Sequence, residues 1–473
     1  MHDTPPATAT PATVSAADAL FRPRSIAVIG ASSDATRIGG RPIDYTLRAG
    51  YTGALYPVNP RGGTLQGLRA YASVADIPGH VDLALIALPA DAAVQAVEDC
   101  IAKGVRAIAM FSAGFAEVSA AGREQQARMR DRCRAAGVLL LGPNCLGFMN
   151  ISAGVMLTFS TVLENIWPKP GRVSMVSQSG AVGAYSAALA MERGIGLDKW
   201  VSTGNEADID VARCIEWLAD EPDTGPIMAY LEGCKDMDRL RAALLKAASR
   251  GKPVLMLKPG SSPEGMQAIT AHTGSDAGDE AAYARLFRDT GTLRMQSMEQ
   301  QVDTAYAFAN GVFPRSPRIA TISISGGVGV LMADAAARAG LQLPTPPAAV
   351  QQQIKALIPF SSPFNPYDVT AQIINDMGLF NRILALVAAQ DEVDTVFIFL
   401  LQLGKVDSHF LGFRDALLEA RRQHPHKLFV LCGGYSPNNR ASMEAAGFLV
   451  FEEPVRAVQT VAALVRPVSG SQA

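Results

Sequence analysis

Gly171-Arg172-Val173-Ser174-Met175-Val176-Ser177-Gln178-Ser179-Gly180 is a β-branched apolar run that ends in a Ser/Gly turn, and an Ala-rich helical pattern follows it. Two other stretches begin alike: Arg24-Ser25-Ile26-Ala27-Val28-Ile29-Gly30-Ala31-Ser32-Ser33 and Arg318-Ile319-Ala320-Thr321-Ile322-Ser323-Ile324-Ser325-Gly326-Gly327. Their starts, Ile26, Val173 and Ile319, stand 147 and 146 positions apart. A solenoid repeat is far shorter, so the recurring unit is a whole domain. A strand that passes through a small-residue turn into a helix opens a βαβ unit. The chain therefore reads as three α/β units in series.

Outward from those turns, short apolar strands alternate with helical stretches, as in a parallel sheet covered on both faces. Strands are predicted at 26–29, 54–58, 83–88, 107–111 and 138–141, then at 173–176, 197–202, 227–231 and 254–257. The third unit has them at 319–324, 396–400, 428–431 and 448–451. The fold class is α/β: three consecutive Rossmann/flavodoxin-like doubly wound domains with parallel sheets. Candidate linkers lie near 150–170 and at 311–317, where Gly311, Pro314 and Pro317 interrupt the pattern. The expected division is a disordered tail at 1–17 and domains at 18–150, 151–312 and 313–473.

At 473 residues, 48% hydrophobic and 18% charged, the chain has enough apolar material for several cores. A net charge of −2 and no Lys/Arg-rich run give no footprint for nucleic acid. No apolar run approaches the ~18 residues of a spanning helix, so no membrane segment is expected. The Pro/Thr/Ala-rich start lacks the basic and apolar regions of a signal peptide. Six scattered cysteines form no CxxC pair and no metal spacing. A cytoplasmic protein without a metal site is expected.

Ligands of such folds sit at the carboxyl ends of the strands, so the turns there matter most. After the first strand comes Gly30-Ala31-Ser32-Ser33-Asp34-Ala35-Thr36-Arg37-Ile38-Gly39-Gly40, a loop able to present backbone N–H groups to a phosphate. A tight turn packed for its own sake would also use small residues. Ser32 replaces the second glycine of a dinucleotide fingerprint, and Pro57-Val58-Asn59-Pro60 offers no carboxylate for a ribose. Nicotinamide oxidoreduction is thereby disfavoured. Leu88-Pro89-Ala90, Ser112-Ala113-Gly114-Phe115-Ala116-Glu117 and Gly142-Pro143-Asn144-Cys145-Leu146-Gly147 line the same edge.

In the second unit, Ser177, Gln178, Ser179 and Gly180 form a helix start with hydroxyls beside it, an oxyanion cradle. Glu232 ends the third strand of this unit, and His272 follows the fourth in Ala271-His272-Thr273-Gly274-Ser275-Asp276-Ala277-Gly278-Asp279, read as a loop of small residues. A lone histidine is more often structural. A carboxylate beside an imidazole, however, fixes which nitrogen is free to attack, and a pKa near 6.5 leaves much of it neutral at pH 7. The combination reads as a phosphohistidine site. Glu206 and Asp208, after strand 197–202, are secondary candidates whose plainer role is to cap a helix.

Gly30-Ala31-Ser32, Tyr56-Pro57-Val58-Asn59-Pro60, Ser112 to Glu117 and Gly142 to Gly147 resemble, in order and spacing, the CoA-binding domain of NDP-forming acyl-CoA synthetases. That family includes ADP-forming acetyl-CoA synthetase and is related to the succinyl-CoA synthetase α subunit. The resemblance implies that Gly30, Ser32, Ser33, Arg37 and Gly39 lie near CoA phosphates. It puts Pro57 and Asn59 near the nucleotide portion, and Pro89, Ser112, Ala113, Gly114, Phe115 and Asn144 along the cofactor. It implies that His272 is phosphorylated and oriented by Glu232, with Ser177 to Gly180, Thr273 and Gly274 around the phosphate. Many relatives continue Ala-Leu-Ala-Gly where this chain has Ser275-Asp276-Ala277-Gly278. Asn365-Pro366-Tyr367-Asp368-Val369 resembles a turn of the family's second flavodoxin-like domain.

The implied activity is acyl-CoA + ADP + Pi ⇌ carboxylic acid + CoA + ATP. No ATP-grasp unit is recognisable, so the resemblance places ATP or ADP with Mg²⁺ on a separate ATP-grasp β subunit, in a hetero-oligomer or with a homodimer of this chain. A non-catalytic CoA or acyl-CoA sensor is the alternative.

Overall fold

Strands buried on both faces are long apolar runs in sequence, and most of the predicted ones are present within a residue or two. The structure is a computed structural model that describes residues 16–273, 278–359, 361–374 and 376–465. The tail expected at 1–17 therefore lies outside the described residues up to 15, and Ala16 opens a short helix, α1 (Ala16–Phe21).

The first sheet has five parallel strands: β1 (Ser25–Ile29), β2 (Ala54–Val58), β3 (Leu83–Ile86), β4 (Ala107–Met110) and β5 (Leu139–Leu141). Their order is β2-β1-β3-β4-β5. Helices α2 (Arg41–Arg48), α3 (Ala90–Lys103) and α4 (Ala120–Ala135) connect them. The strand order reverses at β1, so a crevice opens between the turns after β1 and β3. Gly30 fits only as glycine there: it stands at φ +88, and a Cβ would lie 2.4 Å from the Ala87 carbonyl oxygen.

The second sheet is mixed, which corrects the expectation of parallel strands alone. Within the first unit it runs β11-β10-β8-β9-β6-β7 through β6 (Gly147–Asn150), β7 (Val155–Thr158), β8 (Pro170–Ser177), β9 (Leu197–Ser202), β10 (Ile227–Tyr230) and β11 (Val254–Leu257). β6 pairs antiparallel with both β9 and β7. This hairpin occupies sequence that reads as linker, and it turns at Gly154, at φ +67, whose N–H donates to the Ile151 carbonyl. A short turn joins antiparallel strands without a crossover helix, so no helical period announces it. Helices α5 (Gly180–Glu192), α6 (Val211–Asp220), α7 (Met237–Ser249), α8 (Pro263–Thr273) and α9 (Glu280–Thr290) complete this part.

The described residues form two compact units, one ending at Thr290 and one starting at Gly291. Within the first unit, one apolar cluster includes Ile26, Val28 and Leu85 of the first sheet, Phe148, Val176 and Val201 of the second, and Ile215 of α6. The other face of the first sheet packs separately through Ala27, Ile86, Val97 and Leu140. In the second unit, Ile319–Ser323, Tyr367–Asp368, Thr395–Phe399, Leu428–Cys432 and Leu449–Phe451 form a five-stranded parallel sheet, with Tyr367–Asp368 at one edge beside Ile319–Ser323. That order repeats the first sheet's. Among the described residues, no helix is long and apolar enough to cross a membrane.

Candidate functional site

In the first unit, the carboxyl ends of β8, β9 and β10 and the turn after β5 border an open cleft of about 1000 Å³. Its floor holds Ser179, Gly180, Gln178, Glu206 and Glu232, and Asn144 and Glu117 face them from the first sheet's turns. Arg123, Arg130 and Arg134, on α4, form a further wall.

Ser179 is the N-cap of α5: its Oγ accepts the Val182 N–H at 3.3 Å. The first-turn N–H groups of such a helix have no intrahelical acceptor, and the positive end of the dipole reaches the cleft at Gly180 and Ala181. A Cβ at Gly180 would lie 2.6 Å from Leu146 Cδ1, so the approach of the turn after β5 requires glycine. Ser177, expected beside the phosphate, is fully buried and donates its hydroxyl to the Ser179 carbonyl at 2.6 Å. It shapes the turn and leaves the half-buried Ser179 as the hydroxyl that lines the cleft.

Gln178 is committed to protein groups. Its Nε2 donates to the Gly233 carbonyl at 2.7 Å and to Glu206 Oε2 at 2.8 Å, while its Oε1 accepts the N–H groups of Glu232 and Gly233. Glu232 is 7% exposed, and its Oε1 accepts the Tyr230 hydroxyl at 3.1 Å. Glu117 sits across the cleft with its carboxylate on the Gly114 and Phe115 N–H groups. Burial alone would raise its pKa, but the Gly114 amide and the Asn205 side chain outweigh that and hold it below the usual carboxylate range. Asn205 also donates to Gln126 Oε1 at 3.0 Å and accepts from Asn144 Nδ2 at 3.2 Å. Sequence reasoning missed this bridge of Glu117, Gln126, Asn144 and Asn205, because its members come from three separate turns and one helix.

Ala271, His272 and Thr273 form the last turn of α8, a correction to the loop expected there. Thr270 donates its hydroxyl to the Met266 carbonyl four residues back, as helical residues can. The Gly-rich signal that suggested a loop begins only at Gly274. Gly274 and the side chains of His272 and Thr273 lie outside the described residues, as does Asp276.

The residues expected near the CoA phosphates lie on the loop after β1. Ser32, Ser33, Arg37 and Gly39 flank one turn, where Ser32 Oγ accepts the Asp34 N–H and exposed Arg37 pairs loosely with Asp34 at 3.4 Å. Asn59 donates to the Ala31 carbonyl at 2.9 Å and accepts the Arg61 N–H, so it braces the loop. Pro57 is buried inside edge strand β2, where a missing N–H is tolerated. Pro89 is the N-cap of α3, and Ser112 donates to the Leu88 carbonyl. Ala113 and Gly114 are exposed. Phe115 has its ring wholly inside the core, so its backbone is what borders the turn. A turn this tight, ending in Gly39 and Gly40 and carrying the exposed Arg37 guanidinium, fits a phosphate-bearing cofactor on donor chemistry.

Two family models match the chain: a CoA binding domain over residues 24–151 and a succinyl-CoA ligase like flavodoxin domain over 170–308. The α subunit of acetate–CoA ligase [ADP-forming] II of Pyrococcus furiosus is 33% identical over 454 residues, covering 95% of this chain and 97% of that protein. The 4-hydroxybutyrate–CoA ligase [ADP-forming] of Nitrosopumilus maritimus is 30% identical, covering 94% of this chain and 64% of that one. Among solved structures, an acetyl-coenzyme A synthetase 1 of Ca. Korarchaeum cryptofilum in complex with phosphate and ADP superposes with a TM-score of 0.84 at 30% identity, over 94% of this chain and 96% of that one. The chain belongs to the ADP-forming acyl-CoA ligases, which are acid–thiol ligases, and has their CoA-binding and flavodoxin-like domains.

Proposed function

We propose that this chain is the CoA-binding, phosphohistidine-bearing α subunit of an ADP-forming acyl-CoA ligase, working with a separate ATP-grasp subunit that binds ADP or ATP with Mg²⁺. A phosphate oxygen attacks the thioester carbonyl, the C–S bond breaks, and CoA leaves as its thiol with a proton. An imidazole nitrogen of His272 then attacks phosphorus in the acyl phosphate, and the carboxylic acid leaves as carboxylate. Finally an ADP oxygen takes the phosphoryl group as the P–N bond breaks, giving ATP and free His272.

In this scheme Ser179, the Gly180 turn, Thr273 and Gly274 hold phosphoryl oxygens, and Glu232 orients the imidazole. The loop from Gly30 to Gly39 holds CoA phosphates. The division at 18–150, 151–312 and 313–473 assigns these tasks to the first two domains and assembly to the third. Six free cysteines and substrates such as CoA and ADP suit a cytoplasmic setting.

The single observation that carries the reading is the shared cleft: a capped helix start and the Glu232 carboxylate stand opposite Asn144 of the CoA-binding domain. A helix start is worth about 0.3–1 kcal/mol per neighbouring anionic charge, which steadies a phosphoryl group already held covalently. Incubating the chain with acetyl-CoA and radiolabelled phosphate should give an acid-labile, alkali-stable adduct. His272→Ala, with unchanged thermal unfolding, should give none. Equal labelling of the two proteins would refute the relay.

A further inference from the structure

Three turns that border the cleft come from two different sheets, and backbone hydrogen bonds stack them. In the turn after β5, the Asn144 N–H donates to the Ser112 carbonyl, in the turn after β4, at 2.9 Å. In the turn after β9, the Asn205 N–H donates to the Pro143 carbonyl at 2.9 Å, and the Ala207 N–H to the Gly142 carbonyl at 3.0 Å. Gly204, at φ +60, makes this approach possible. A Cβ there would lie 2.4 Å from the Pro143 carbonyl oxygen and 2.5 Å from that of Asn144.

The Asn205 side chain spans what the backbone has brought together. Its Oδ1 accepts Asn144 Nδ2 at 3.2 Å, and its Nδ2 donates to Gln126 Oε1 at 3.0 Å and to Glu117 Oε2. Both amide hydrogens are thereby used. Glu117 in turn accepts the Gly114 N–H on Oε1 at 2.6 Å and the Phe115 N–H on Oε2 at 3.2 Å. One carboxamide of the flavodoxin-like domain therefore reaches Asn144 directly, and the Gly114–Phe115 backbone through a single carboxylate. Hydrogen bonds to an ionised group are about twice as strong as neutral ones, so the Glu117 link is the firmer of the two. The backbone of Asn205 is held separately, with Lys235 Nζ on its carbonyl at 3.2 Å. Shortening the side chain breaks the links and leaves those backbone bonds standing.

We infer that Asn205 is a positioning residue for coenzyme A: through Glu117 and Asn144 it fixes two turns of the CoA-binding domain, so a residue of the second domain sets how tightly the first holds its ligand. The inference rests on the proposed course of CoA along Gly114, Phe115 and Asn144, and is independent of the phosphohistidine relay. The links require an amide. Aspartate has the same size but places a carboxylate against Glu117 and removes both donors.

The test uses the full chain, with calorimetric titration of CoA alone and with labelling from acetyl-CoA and phosphate. Asn205→Ala and Asn205→Asp should each weaken CoA binding at least about fivefold, the scale of one hydrogen bond. The KM for acetyl-CoA should rise in parallel, and the KM for phosphate should stay within about twofold of wild type, a split that general loosening of the fold would not produce. Glu117→Gln cannot accept from both the Gly114–Phe115 backbone and Asn205, so adding Asn205→Ala to it should cost less than the product of the two single losses. Wild-type CoA affinity in both Asn205 variants overturns the inference. So does a rise of both KM values together, or losses that multiply in the double variant. A wild type that takes up no CoA overturns it along with the CoA-binding reading. CoA binding that weakens as stated, in a chain that never labels, supports the positioning role and counts against the phosphohistidine relay instead.

Discussion

A carboxyl that keeps its proton up to about pH 7 in the folded chain gives it up near 4.5 in the unfolded one. Between those values the folded state binds the extra proton, so the contribution of Glu206 to stability is full below about 4.5 and is lost as pH rises through about 7. The separation corresponds to about 3 kcal/mol at most, since one pKa unit is 1.36 kcal/mol. Glu206→Gln removes the titration. Its stability relative to wild type, from urea unfolding, should therefore rise by a few kcal/mol between pH 5 and pH 8; a difference that stays flat would show that the carboxyl titrates normally. The ionised form, which burial penalises, is thus the less stable one. Ser179 and Glu232 were legible in sequence because each directly follows an apolar strand. Gln178 and Glu206 were not legible as a pair: 28 residues separate them, and only folding shows that a shared amide joins them.

The element that departs most from its expected chemistry is strand β9, Leu197-Asp198-Lys199-Trp200-Val201-Ser202, every residue of which is buried. Lys199 Nζ lies 3.0 Å from Asp198 Oδ1 and 2.9 Å from Glu221 Oε2. Asp198 Oδ2 accepts the hydroxyls of Ser174 and Thr224, and Arg22 of the segment after α1 closes on Glu221. Burial would raise Glu221, but its bonds to Arg22 and Lys199 outweigh that and hold its pKa below the usual value. Lys199→Met leaves Asp198 without its cation in a buried site, so urea unfolding at pH 7 should show a loss of about 3–5 kcal/mol, toward the low end because Arg22 still serves Glu221. A loss under about 1 kcal/mol would mean that the network is neutral to stability. The same physics explains what sequence could show about the elements. Parallel strands wrapped by helices announce themselves as apolar runs, and the spacing of their Gly/Ser turns gave the α/β class. The β6–β7 hairpin and the last turn of α8 escaped, since glycines at 147, 154 and 274 suggested loops where the chain pairs or coils.

At the scale of the molecule, the proposed reaction follows its acyl transfer to phosphate with two phosphoryl transfers of unequal demands. Moving a phosphoryl group onto an imidazole next to a helix start asks for orientation and modest charge stabilisation, the tasks proposed for Ser179, Gly180 and Glu232, which line one cleft. Passing it to ADP brings several further negative charges to the same phosphorus, and such transfers are carried by Mg²⁺ and cationic clamps worth far more than a dipole's ~2 kcal/mol. The proposed ATP-grasp partner supplies that second setting, in line with the likeness of this chain to α subunits over 97% of their length. The two halves should then separate in the test tube. With acetyl-CoA, labelled phosphate, ADP and Mg²⁺, the chain alone should hold label on His272 and release CoA without forming ATP. Adding an ATP-grasp subunit should discharge the label into ATP within the same reaction, and His272→Ala with that subunit should form none. ATP made by this chain alone would place the nucleotide step within these residues and remove the need for a partner. Label that stays on the histidine when the subunit is added would reject that subunit as the acceptor.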